Sequence, residues 1–127
     1  MSFAHLRLAT RDVIASCDFF AWTLGWEPVE RPGNIGFKAA WLRMAPGQEL
    51  HLLYVPDFAP SDFEREFGRH LAVEYPAAGF AGLKERLAKR GAELIDPIRK
   101  TPFVRFFFRD PNGYVFEVVD ADRTPEV

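Results

Sequence analysis

The chain has 127 residues, 48% of them hydrophobic, with a net charge of -2 and one cysteine. That length sets a single domain, and a near-balanced charge without a basic run argues against nucleic acid or an anionic membrane surface as a partner. No stretch has the apolar length of a signal peptide or a bilayer span, so the cytoplasm is the expected compartment, and Cys17 reads as a small buried hydrophobe on a helix.

In chain order, Phe3 to Ala9 alternates as a strand. Residues 12–24 then place Val13, Cys17, Phe20 and Leu24 at helical spacing before Gly25 stops the helix. Strands are expected at Glu27 to Arg31, Phe37 to Arg43 and Glu49 to Val55, divided by the turn signals Pro32-Gly33-Asn34 and Pro46-Gly47. A connector follows at 56–69, expected to hold a short helix carrying Phe63 and Phe67. These two and Phe58 are expected to pack in the core, or else to cover an interface or a cavity mouth. The second half opens with a strand from His70 to Tyr75 and a helix over 79–90 ended by Gly91. Strands follow at Glu93 to Ile95, Phe103 to Arg109 and Tyr114 to Val119, the last two joined by the turn Asp110-Pro111-Asn112-Gly113.

The order βαβββ thus occurs twice, with module 1 at about 3–55 and module 2 at about 70–120, and the residues themselves repeat. At an offset of 66, Gly25 meets Gly91, Trp41 meets Phe107, Arg43 meets Arg109, Gly47 meets Gly113 and His51 meets Glu117. His5 meets His70 at an offset of 65, and the helical positions Ile14, Cys17 and Ala21 are matched with Phe80, Leu83 and Leu87. Two halves of this size are each marginal alone and must share a core. The fold class is therefore α+β, two repeated modules forming an open, curved, barrel-like mixed sheet with helices outside.

Strand alternation sorts the polar residues by face. The rows Ala4, Leu6 and Leu8; Leu50, Leu52 and Tyr54; Leu71 and Val73; and Phe116 and Val118 are almost wholly apolar and suit packing under the helices. His5, His51, His70 and Glu117 all point to the other face, where a curved sheet would enclose a cavity.

At these positions the chain resembles the vicinal oxygen chelate superfamily, which includes glyoxalase I, bleomycin-resistance proteins, fosfomycin-modifying enzymes and extradiol dioxygenases. The resemblance covers residues 3–120 and is strongest in FAHLRLATRDVIASCDFFAWTLGWEPV, HLAVEY and FFFRDPNGYVFEVVD. It implies paired βαβββ modules around a divalent metal whose ligands come from the first and last strand of each module. His5, His70 and Glu117 match the common His, His and Glu positions. His51 departs from the Glu or Gln usual in glyoxalase I, and Glu49, two residues earlier on the same face, is the alternative fourth ligand if the register shifts. Three imidazoles and one carboxylate suit one borderline ion, among Zn, Ni, Co, Fe and Mn, better than Ca or Mg.

The hairpin register proposes the pocket walls. Pairing Arg109 with Tyr114 would set Phe106 opposite Glu117, with Val104 and Phe108 on its face, and by the repeat Lys38, Ala40 and Leu42 would flank His51. Arg7 shares the face of His5. The expected substrate-binding residues are therefore Arg7, Lys38, Leu42, Phe106 and Phe108, around a small apolar cavity suited to a compact anionic or polyoxygenated molecule. The resemblance then implies a metal-dependent, glyoxalase-like lyase or isomerase acting on a small molecule with neighbouring oxygens, with Glu117 or His51 moving the proton. A single-domain ring-cleaving dioxygenase, a thiol transferase and a non-enzymatic drug-binding protein are the alternatives. A homodimer is the expected assembly.

Overall fold

The computed structural model describes residues 3–30 and 38–124. The chain forms two compact units, residues 1–58 and 59–127. The first contains β1 (His5–Thr10), α1 (Val13–Leu24), β2 (Glu27–Val29), β3 (Ala39–Ala45) and β4 (Gln48–Tyr54). Its sheet runs β1-β4-β3-β2, with β1 parallel to β4 and the remaining pairs antiparallel. The second contains β5 (Leu71–Tyr75), α2 (Phe80–Lys89), β6 (Glu93–Ile95), β7 (Arg105–Arg109) and β8 (Val115–Asp120), in the equivalent order β5-β8-β7-β6. Each unit is a βαβββ module with a four-stranded mixed sheet and a helix packed alongside.

The chemistry at the helix ends matches the sequence signals. Asp12 caps α1 by accepting the Ala15 N–H at 2.9 Å, and Gly25 closes it in the left-handed conformation at φ 74°. Each helix lies on the apolar face of its own sheet. Leu8, Leu42, Leu50 and Leu52 are buried with Val13 and Phe20 of α1, while Phe106, Phe108, Phe116 and Val118 are buried with Phe80, Leu83 and Leu87 of α2.

The registers repeat as the residues do. Glu27 pairs with Arg43 as Glu93 pairs with Arg109, and Trp41 pairs with His51 as Phe107 pairs with Glu117. The helices depart from the expected match. Ile14 is 59% exposed and Cys17 only half-buried, and the residues facing the sheet are Val13, Ser16 and Phe20. These correspond to Phe80, Leu83 and Leu87 at an offset of 67, one residue from the offset that the strands follow.

The connector also differs from expectation. It forms no helix: Arg69 N–H donates to the Phe63 carbonyl at 2.7 Å, Arg65 N–H donates to that of Arg69, and a bridge joins Glu64 to Arg69. Phe63 and Phe67 are both 63% exposed, so neither packs in the core, and no buried apolar face supports so short a helix. Residues 59–69 belong to the second unit. The turn Pro32-Gly33-Asn34, the expected strand end at Arg31 and the expected strand start at Phe37 lie outside the described residues.

Candidate metal centre

In the first unit, parallel pairing sets His5 beside Glu49 and Arg7 beside His51. The His5 and His51 rings stack with centroids 4.1 Å apart, and Trp41 presents its edge to His51 at 5.8 Å. His51 Nε2 lies 3.0 Å from Glu49 Oε1, with both side chains largely buried. A carboxylate can only accept there, so His51 Nε2 carries the donated proton and Nδ1 is the nitrogen left for other chemistry.

In the second unit, His70 stands just before β5 and faces Glu117 of β8, with Nε2 3.3 Å from Oε1. Its other nitrogen, Nδ1, is 3.2 Å from the Arg65 carbonyl, which again can only accept. Nδ1 therefore holds a proton, and Nε2 meets the carboxylate either as an imidazolium or as a bare lone pair. A bare lone pair opposite a carboxylate oxygen is the arrangement a divalent cation relieves. Phe107 abuts His70 edge-on at 5.2 Å, as Trp41 abuts His51 in the first unit.

Glu117 has a second partner. Arg105 Nη1 donates to its Oε2 at 2.8 Å, and Arg105 Nη2 donates to Glu66 Oε2 at 3.1 Å and to the Arg99 carbonyl. Burial opposes the guanidinium's charge, but the hydrogen bonds it donates to Glu117 and Glu66 outweigh that and hold Arg105 above its ordinary range. Burial likewise works against the charge of Glu66. The Ile98 and Arg99 N–H groups, at 2.6 and 2.9 Å, together with Arg105 nevertheless hold that carboxyl below the usual range.

Three expected pocket residues face the wrong way. Leu42 pairs with Leu50 and is fully buried against α1, and Phe106 and Phe108 are buried on the α2 side, Phe106 edge-on to Phe80 and Phe108 stacked on Phe116. The cause is a one-residue register shift. Asp110 N–H bonds the Tyr114 carbonyl, leaving a three-residue loop with Gly113 at φ 100°, so Arg109 pairs with Val115 and Phe107 rather than Phe106 lies opposite Glu117. Arg7 and Lys38 are exposed, Arg7 on the His51 face and Lys38 just before β3. Trp41 and Phe107 are the aromatic residues that the observed register places beside His51 and His70 and the assumed register missed, although the repeat already aligned them. Arg105 and Glu66 were also missed. The only signal was a cation at the head of the otherwise aromatic run RFFFR.

Within either unit, among the described residues, no three His, Cys, Asp or Glu side chains are gathered to hold a metal. Each unit instead presents two donors of the expected set. An imidazole–carboxylate pair and a stacked imidazole pair are donors of the types that bind borderline divalent ions, so the residues fit such a group. An open groove of about 330 Å³ in the second unit is lined by Pro102, Phe103, Val104, Asp120, Arg123 and Thr124. It contains none of these donors and is not the candidate site.

A parallel first–last strand pair, repeated in two βαβββ modules each with its own four-stranded mixed sheet, defines a class of paired-module α+β proteins. The chain belongs to the Glyoxalase/Bleomycin resistance protein/Dioxygenase superfamily, whose family pattern matches residues 2–118. Its relatives include Glyoxylase I 4 of Arabidopsis thaliana, 25% identical over 134 residues, covering 99% of this chain and 74% of that protein. A glyoxalase/dioxygenase from Nostoc punctiforme superposes with a TM-score of 0.77 at 23% identity, covering 98% of this chain and 92% of that one. The fosfomycin resistance protein FosX from Listeria monocytogenes superposes at 0.76 with 16% identity, covering 94% and 90%. At such identities the two structures show a shared fold.

Proposed function

We infer that the protein is a divalent-metal-dependent lyase or isomerase of glyoxalase type, acting on a small molecule with neighbouring oxygens. His5, His70 and Glu117 hold the metal, and His51, held by Glu49, moves the proton. The observation that carries this reading is His70, whose Nδ1 proton is committed to the Arg65 carbonyl while Nε2 faces Glu117 Oε1 at 3.3 Å. When bound, a divalent ion supplies Lewis acidity toward a substrate carbonyl.

The chain's own groups supply the rest. His51 keeps its Nε2 proton on Glu49 Oε1, so Nδ1 accepts a proton from substrate and later returns it. Trp41 and Phe107 give apolar flanks to the two donor faces, and Arg7, exposed beside His51 in register, offers a cation to an anionic substrate. The relative from Arabidopsis carries a glyoxylase name, which supports this reaction class.

The test is turnover of the adduct of an α-ketoaldehyde and glutathione, with the protein loaded in turn with Zn, Ni, Co and Mn. Turnover that His51→Ala abolishes while bound metal is retained is the expected result. Metal lost in His51→Ala would make His51 the fourth ligand, through Nδ1, and inactivity with every metal would overturn the isomerase reading.

The Glu49–His51 pair also favours a second reading. With His51 so engaged, His5, His70 and Glu117 leave a two-histidine, one-carboxylate set, the ligand type of Fe(II) oxygenases. Oxygen uptake by the Fe(II)-loaded protein with a catechol separates the two.

A further inference from the structure

We propose that Arg105 is a positioning residue for Glu117, engaging Oε2 so that only Oε1, the oxygen beside His70, is offered to a metal. This deepens the metal reading above and rests on it. Arg105 donates to Glu117 Oε2 at 2.8 Å, while Oε1 is the oxygen 3.3 Å from His70 Nε2. Its side chain is 3% exposed, and its second Nη is fixed by Glu66, itself held by two backbone N–H groups of residues 98 and 99. A chain of hydrogen bonds therefore runs from the connector through the guanidinium to one oxygen of Glu117.

Two observations argue that Arg105 does more than hold the module together. Its counterpart in the repeat is Ala39, at the same place in a module of the same topology, and there the residue equivalent to Glu117 is His51, which has no second oxygen to restrain. Glu66 likewise has no counterpart, since it lies in the connector. Arg105 Nε is moreover the one buried side-chain nitrogen or oxygen without a hydrogen-bond partner among the described residues. A buried unsatisfied donor is destabilising, and a guanidinium held there by two carboxylates is oriented for Glu117 and Glu66 rather than for its own full satisfaction. Partners of this kind, which orient a ligand from behind, typically change metal affinity by 10- to 100-fold when altered.

The experiment is titration of the full chain with Co(II), followed by calorimetry and by the visible d–d absorption, in wild type, Arg105→Lys and Glu117→Ala. Lysine keeps the charge but loses the two-pronged donation. The expected result for Arg105→Lys is about tenfold weaker binding or more and an altered d–d band, with a melting temperature of the metal-free protein that does not account for the loss. Affinity and spectrum equal to wild type would overturn the positioning role while leaving the metal reading intact. Wild type that binds no Co(II), or Glu117→Ala that binds it as wild type does, would overturn both. Should Arg105→Lys fail to fold, a crystal structure of Co(II)-loaded wild type decides. Oε2 still on Arg105 with Oε1 alone on the metal is expected, and both oxygens on the metal would overturn the proposal.

Discussion

Asp110 sits in the last hairpin turn with 3% of its surface exposed, accepting the Asn112 and Tyr114 N–H groups. Burial raises its pKa from 3.8 to about 6, against these hydrogen bonds. The folded state therefore binds the proton more tightly than the unfolded chain does. The contribution of Asp110 to stability is complete below about pH 4 and is lost as pH rises through about 6, a change on the order of 3 kcal/mol. Urea denaturation at half-unit steps from pH 4 to 7 should show this fall in wild type and a flatter profile in Asp110→Asn, whatever that variant's absolute stability. In the same turn, a Cβ on Gly113 (φ 100°) would come within 2.6 Å of Pro60 Cγ, whereas one on its counterpart Gly47 (φ 75°) meets nothing within 4 Å. Gly113→Ala is therefore expected to cost about 1–3 kcal/mol more than Gly47→Ala, which carries backbone strain alone, as read by thermal melts. The sequence displayed both glycines and the four candidate ligands. It did not display that the Asp110 turn closes a three-residue loop, and that one residue moved Phe106 and Phe108 from the cavity face to the core.

Among the elements, the repeat made most of the fold legible. Period-two alternation is strong in β4, where Leu50 and Leu52 are buried and Glu49 and His51 lie on the other face, and the glycine stops ended both helices where expected. The helix offset was not legible, because a helix can rotate by one residue against its sheet while the strands keep register, and α1 buries Ser16 and Thr23 among its apolar residues. The connector was misread because Phe63 and Phe67 have helical spacing, yet a carboxylate organises the loop. Glu64, 3% exposed, accepts the Val115 N–H at 3.0 Å with one oxygen and Arg69 at 2.7 Å with the other. Glu64→Ala leaves the first amide of β8 without its acceptor and should destabilise the second unit by about 1–3 kcal/mol. Hydrogen exchange should accelerate at Val115 more than in β4, and equal protection of Val115 in wild type and Glu64→Ala would contradict the anchoring role.

For the whole molecule, the family and the two-module fold follow from matched residues, whereas the activity we propose rests on donors that each unit contributes as a pair. The described residues include no helix long and apolar enough to cross a membrane. Phe63, Phe67 and Ile98 leave large apolar side chains exposed in the second unit, at 63%, 63% and 75%, and we propose that they are covered in a homodimer, the assembly expected from the sequence. Light scattering at micromolar concentration should give twice the chain mass of 14.5 kDa, and a single-chain mass would contradict it. The central claim is that His5, His70 and Glu117 hold one divalent metal, and its most direct test is elemental analysis of untagged protein purified without chelators. The prediction is close to one divalent metal per chain, reduced to background in His70→Ala. No bound metal even after reconstitution, or undiminished metal in His70→Ala, would contradict the account and leave the His70–Glu117 pair as a structural ion pair.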